Sequence, residues 1–184
     1  MKKHLLHAAA ILLLSTTLFS CDKIAEKLFK AFDTNAIEGD FTTPILTNTT
    51  IQSDIGTANI PYDIEAQIKS ETGGSFGLDN APKVTIKSIT ITILNPDQNN
   101  NFANFETALM KFNTNANTNP VTVGTDATIP DAYAVSRTFV VNNTMDIKTY
   151  LKGANTLGYI YTAKLRRATT KALNFRIVAH LTIG

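Results

Sequence analysis

From about residue 40 onward, apolar side chains recur at alternate positions in short runs, and the runs are separated by stretches rich in Asn, Gly and Pro. The clearest run is "LNFRIVAHLTI", residues 173–183. Leu173, Phe175, Ile177, Ala179, Leu181 and Ile183 fall on one side, and Asn174, Arg176, His180 and Thr182 on the other, with Val178 among them. A period of two with one wet face is the signature of a half-buried strand. "LGYIYTAKLRR" (157–167) reads the same way, as does "FETALMKF" (105–112), where closely flanking Asn-rich loops favour strand over helix. "KVTIKSITITIL" (83–94) is a long strand whose apolar phase slips between Ile86 and Ile89, which predicts a bulge or a crossing between sheets. "TPILTNTTI" (43–51) and "NIPYDIEAQIK" (59–69) are read as two further strands. The second would set Ile60, Tyr62, Ile64, Ala66 and Ile68 on one face and Asp63 and Glu65 on the other. "AYAVSRTFVV" (132–141) places Tyr133, Val135, Phe139 and Val141 together with Arg137 interrupting, and "MDIKTYL" (145–151) is a short helical turn. "ETGGSFGLDNAP" (71–82), "NPDQNNN" (95–101) and "NTNANTNP" (113–120) are connections.

Short strands at this spacing, with no helices regularly between them, predict an all-β fold: a two-sheet, immunoglobulin-like sandwich of about seven strands. A membrane barrel would need about eight tilted strands of 9–11 residues with an apolar outer band, and the uneven runs and long loops here do not supply them. One segment has a different period. In "DKIAEKLFKAFD" (22–33), Ile24, Leu28, Ala31 and Phe32 share a helical face with Ala25 and Phe29 beside it, and Asp22, Lys23, Glu26, Lys27, Lys30 and Asp33 fill the opposite side. A short amphipathic helix is therefore expected ahead of the sandwich, its apolar residues Ile24, Leu28, Phe29 and Phe32 either lying in a membrane interface or covering one end of the sheets.

The chain opens with two lysines, Lys2 and Lys3, followed by an apolar stretch from Leu5 to Leu14 that polar Ser15, Thr16 and Thr17 interrupt. That stretch is too short to span a bilayer, which takes roughly 20 residues, and has the charged-then-apolar layout of an export signal. It runs into Leu18-Phe19-Ser20-Cys21, which resembles a bacterial lipobox. The resemblance implies cleavage before Cys21 and attachment of a diacylglycerol to its sulfur, with a further acyl group such as palmitate on the new amine. Cys21 is the only cysteine, so no disulfide contributes to the fold. The expected organisation is a signal peptide over 1–20, a lipidated tether and helix over 21–39, and the sandwich over 40–184.

Without Lys2 and Lys3, the 17 basic residues fall to 15 against 15 acidic ones, so no strong field draws the chain to nucleic acid. The 27 threonines and frequent Val and Ile agree with strands. Groups for catalysis are few. Of three histidines only His180 follows the signal, and Ser75, the one serine at Gly-x-Ser-x-Gly spacing, falls in a connection without the strand-to-helix context of a nucleophile elbow. With Cys21 acylated, a Cys–His pair and a thiolate zinc site are both lost. Among the carboxylates, Asp63 and Glu65 would share a strand face, while Asp126, Asp131 and Asp146 lie in the second half with no sign of convergence on a cleft. Asp97, Asn99 and Asn101 resemble the start of a calcium loop, but Phe102 stands where the turn glycine belongs and Ala108 where the bidentate glutamate belongs. The "GGSFG" stretch lacks the lysine and context of a phosphate loop, and Asn48 and Asn142 open accidental sequons. Lys164, Arg166, Arg167 and Lys171 form the one basic cluster, read either as a patch for acidic glycans or lipid head groups or as a solvated strand edge.

The lipobox, "SITITILNPDQNNNFANFETALMKF" (88–112), "MDIKTYL" and the closing "LNFRIVAHLTIG" together resemble small β-sandwich lipoproteins of the Bacteroidetes. The resemblance is one of layout and carries no catalytic residues across. It implies a Gram-negative envelope, with the chain held in the outer membrane on one face or the other. The expected function is that of a non-enzymatic envelope lipoprotein, without cofactor or metal. It would be tied to the membrane through Cys21 and bind a protein or glycan partner through its loops at 70–82, 95–104 and 113–132. The alternative is a carrier of lipid or another apolar molecule between the sheets.

Overall fold

The computed structural model describes residues 28–184. In chain order these form β1 (Phe32–Asp33), β2 (Ile37–Thr43), β3 (Ser53–Pro61), α1 (Ile64–Glu71), β4 (Val84–Ile93), β5 (Phe105–Thr114), β6 (Val121–Asp126), β7 (Ser136–Thr138), β8 (Val140–Val141), α2 (Lys148–Leu151), β9 (Thr156–Leu165) and β10 (Leu173–Ile183). The strands make the expected all-β, two-sheet sandwich, with ten strands rather than about seven. One sheet runs β2–β10–β4–β7, with β1 pairing the far end of β10 beside β2, and the other runs β3–β9–β5–β6–β8. All the pairings are antiparallel. Like immunoglobulin domains, the molecule stacks two antiparallel sheets. If β1 joins β2 and β7 joins β8, the order of the eight resulting strands is that of a jelly roll built from two Greek keys.

β10 explains why the sheets meet. Its six expected core residues, Leu173, Phe175, Ile177, Ala179, Leu181 and Ile183, are all fully buried. The Phe175 ring lies 5.0 Å from Phe41, 5.6 Å from Tyr161 and 6.3 Å from both Phe102 and Phe105, so rings from both sheets interlock around it. The phase slip in β4 is a bulge. Ser88 pairs with His180 and Ile86 with Leu181, which leaves Lys87 as the extra residue and keeps Val84, Ile86, Ile89, Ile91 and Ile93 all facing inward. β7 and β8 are one run that changes sheets. Thr138 pairs with Thr90 of β4, Val140 pairs with Thr125 of β6, and between them Phe139 turns inward onto Tyr161 at 6.2 Å.

Several expectations are corrected. The strand expected at 43–51 ends at Thr43, because β2 occupies Ile37–Thr43. The run at 59–69 is two elements. β3 stops at Pro61, and Asp63 then caps α1 by accepting the Ala66 N–H at 2.9 Å, so Ile64 and Ile68 are buried one helical turn apart. Asp63 and Glu65 therefore share no strand face. β6 runs through what was expected to be part of a long loop at 113–132. Of Tyr133, Val135, Phe139 and Val141, only Phe139 is buried. The helix expected over 22–33 lies outside the described residues up to Lys27. Leu28 is helical, but Phe32 and Asp33 are extended and pair with Ile183 and Thr182. Asp33 gains Lys87 at 2.6 Å and the Thr182 hydroxyl at 2.7 Å there, which the helix could not offer.

Candidate functional site

Antiparallel order sorts the connections between two poles. The β2–β3, β4–β5, β6–β7 and β9–β10 loops (44–52, 94–104, 127–135 and 166–172) gather where β10 begins, at Leu173. The chain enters at the other pole, where β1 pairs with Ile183, and of the loops expected to bind a partner 70–82 and the 115–120 part of 113–132 lie at that pole too. β10 has 11 residues, so at about 3.4 Å per residue the two poles are roughly 34 Å apart.

Asparagines tie the β4–β5 loop to the β9–β10 loop. Asn100, Asn101 and Asn104 are buried, unusual for amides unless their hydrogen bonds are met. Asn100 donates to Asp97 at 2.8 Å and to Thr170 at 2.9 Å, and its carbonyl accepts the Thr170 N–H at 2.8 Å. Asn101 donates to the Asp97 and Gln98 carbonyls, and Asn104 to those of Asn99 and Ala168. Leu46 and Thr169 exchange two bonds of 2.9 Å, which ties in the β2–β3 loop. Arg166 ties in the β6–β7 loop. Its guanidinium donates to the carbonyls of Ala103 (2.9 Å), Phe105 (2.9 Å) and Ile129 (2.7 Å).

Between these loops opens a cleft of about 310 Å³ lined by Gln98, Asn99, Asn104, Arg167, Ala168 and Thr170. Of the expected basic patch Arg167 lines it, and the cations of that patch are engaged. Lys164 meets Glu106 at 2.9 Å, Lys171 meets Asp97 at 2.6 Å, and Arg167 pairs with Asp131 and donates to the Ala103 carbonyl at 3.0 Å. The cluster is thus a set of ion pairs and carbonyl clamps, not a row of cations facing one ligand. The Lys171 ammonium first, then the Asn100 amide and the Asn99 N–H, hold the Asp97 carboxyl down at about 2. Those same contacts occupy Asp97, and the Asn101 side chain is turned to the backbone, so the calcium-loop residues do not converge on an ion. Among the described residues, no group of three or more His, Cys, Asp or Glu is placed to share a metal.

The remaining candidates fall elsewhere. Asp126 is paired bidentately with Arg137 at 2.7 and 3.0 Å, and Asp146 accepts the Val84 and Lys148 N–H groups. Glu65 accepts the Leu78 N–H at 2.8 Å, and the His180 ring is bonded to the Thr34 carbonyl at 3.2 Å. Asn48 and Asn142 each close a local turn with a following threonine. At the entry pole, Phe29 is buried against Phe32 and Phe76, while Leu28 is 68% exposed. Ile24 and the lipobox Leu18, Phe19, Ser20 and Cys21 lie outside the described residues. An apolar ligand between the sheets would have to displace the Phe41, Phe102, Phe105, Phe175 and Tyr161 rings. Sequence pattern singles out Arg167 and Lys171 but not Gln98, Asn104, Ala168 or Thr170. The run of amides at 98–104 was the available signal, and it reads as a plain turn until its partners are known.

No protein-family model matches this chain, and no curated protein matches it. Among solved structures it is similar to a chain of the cyanophage Pam1 capsid asymmetric unit, with TM-score 0.41 and 8% identity over 85% of this chain and 88% of that one. It is also similar to FLHE, with TM-score 0.33 and 7% identity over 80% and 96%. A third likeness is to a carbohydrate-binding module of the β-sandwich superfamily, with TM-score 0.27 and 12% identity over 82% and 54%. Likenesses of this size say nothing of what this chain binds.

Proposed function

We propose that the protein is a non-enzymatic lipoprotein of the cell envelope, held in the outer membrane by acyl chains on Cys21, which binds a protein or glycan partner through the loops at the pole away from its anchor. The observation that carries the reading is this polarity. The segment leading back to Cys21 meets the sandwich beside Ile183, and the four loops gather at the other end of the same strand. Surface chemistry supports it as well. Of the seven large hydrophobic residues exposed among the described residues, five (Ile45, Ile51, Leu94, Tyr133 and Val135) stand on or beside those loops. Exposed apolar groups gathered at one place are a common mark of a contact surface. Two or three acyl chains hold a protein on a membrane for long periods where one does not.

Photo-crosslinking in living cells tests the binding half of the reading. A crosslinker at Asn99 or Thr170 should capture a partner, and one at Arg176 or Lys111, on the open sheet faces, should not. Capture from the sheet faces and none from the loops would overturn it.

A further inference from the structure

We propose that the cleft at the loop pole is a saccharide site that takes an uncharged glycan through pairs of neighbouring hydroxyls; this rests on the loop-binding reading above and narrows it. The first ground is what the lining leaves available. Among the described residues, the Gln98 and Asn99 side-chain amides have no protein partner, and both are exposed at the mouth of the cleft. Each offers two N–H donors and a carbonyl acceptor. The Thr170 hydroxyl accepts from Asn100 and keeps its own hydrogen to donate, and the Arg167 Nε–H is not used in the pairing with Asp131. A hydroxyl both donates and accepts, so a mixed set of amide, hydroxyl and guanidinium groups suits a polyol better than a ligand that only accepts.

Charge is the second ground. A phosphate, sulfate or uronate would need cations without a carboxylate partner, and here Lys164, Arg167 and Lys171 already face Glu106, Asp131 and Asp97 while Arg166 is spent on three carbonyls. Exchanging a carboxylate partner for an anionic ligand would gain little. The third ground is shape. About 310 Å³ is at the small end of ligand clefts, which run from about 300 to 1,000 Å³, and suits one or two sugar rings rather than a folded surface. The cleft's supports are also fixed, because Asn100 and Asn104 are buried and bonded on both sides. Tyr133 is 52% exposed on the neighbouring β6–β7 loop, between Asp131, which is paired to Arg167, and Ala134, whose carbonyl takes the Phe102 N–H. An exposed ring there can lie against the C–H face of a sugar, giving large contact area at small entropic cost.

The test uses full-length protein purified in detergent and titrated with neutral gluco-, manno- and galacto-oligosaccharides, with a sulfated heparin hexasaccharide and inorganic phosphate as anionic probes. The expected result is binding of at least one neutral oligosaccharide, unchanged between roughly 0.05 and 0.5 M salt because no charge is being screened. The Gln98→Ala/Asn99→Ala double variant should bind it about tenfold more weakly, which is about 1.4 kcal/mol. Its melting temperature should stay where it was, since neither side chain is bonded within the fold. Binding of the anionic probes alone, binding indifferent to the double variant, or no binding of any neutral probe would each overturn the proposal. The crosslinker at Asn99 separates the two readings. Capture of a protein there with no glycan bound leaves the loop-binding reading standing and removes the saccharide; silence in both removes both.

Discussion

Replacing Arg166 by Met should loosen the loop pole more than any other single change on its surface. The side chain is only 27% exposed, and among the described residues its guanidinium is the sole side-chain donor that reaches Ala103, Phe105 and Ile129 together. Hydrogen bonds from charged donors contribute about 1.5–3 kcal/mol each in isolation, but the three share one charge and water can reach part of the group. The expected loss is therefore on the order of 3 kcal/mol rather than the full sum. Met preserves most of the aliphatic stem, so packing of the chain near Leu165 is not confounded. For a domain of this size a loss of about 1 kcal/mol lowers the melting temperature by about 2–4 °C, which puts the Met variant roughly 6–12 °C below the parent. Urea unfolding followed by far-ultraviolet circular dichroism measures the free energy, and an unchanged slope with denaturant would show that the same surface unfolds. Arg167→Met is the control, because its main partner, Asp131, is half exposed and such pairs contribute about 0–1 kcal/mol. If Arg166→Met cost no more than the Arg167 control, the three carbonyls would be satisfied by solvent, and the account of how the loops are held would be wrong.

Three further outcomes follow from the packing and the charges. A β-carbon on Gly56 would stand 2.2 Å from two atoms of the Phe41 ring, which is stacked 5.0 Å from Phe175 and cannot simply swing away; Gly56→Ala should cost about 1–3 kcal/mol in urea unfolding. Tyr161 is fully buried with no partner for its hydroxyl among the described residues, so Tyr161→Phe should leave stability unchanged or raise it slightly, and a loss above about 1 kcal/mol would reveal a bond those residues do not supply. The Asp97 carboxyl should titrate near 2 by carbon-detected NMR and move up toward its ordinary 3.8 in Lys171→Met. Because the folded value is the lower one, this pair stabilises the protein above about pH 4 and the contribution fades as pH falls toward 2. A midpoint near 3.8 in the parent would mean that the Lys171 contact does not persist in solution.

Long strands were legible in the sequence because both of their faces speak. β10 and β9 alternate over 11 and 10 residues, and the slip in β4, read as a bulge or a crossing between sheets, is a bulge. Short or doubly readable segments were not. Ile60, Ile64 and Ile68 fit a period of two and a period of four equally, and only Pro61 and the Asp63 cap decide that a helix starts there. β6 was hidden by Gly124, a position whose missing side chain leaves room for Phe139, and by the polar residues around Val121 and Val123. Phe32 and Asp33 follow helical periodicity and are extended all the same, since the free edge at the end of β10 gives them backbone partners. At the loop pole, Arg167 and Lys171 were visible as charges, but the acids that occupy them come from other loops, Asp131 lying 36 positions earlier in the chain. Pairings of that kind are set by the Greek-key path, which local patterns do not reveal.

Of the proposed sandwich, tied by lipid at one pole and open to a partner at the other, the tie is the simplest part to measure. Cells expressing the full chain or its Cys21→Ser variant are grown with a clickable palmitate analogue and separated into membrane and soluble fractions. The parent protein should carry the label and sediment with outer membranes, and the variant should be unlabelled and soluble. A variant that stays in the membrane fraction, or a parent that takes up no label, would contradict the proposed tie.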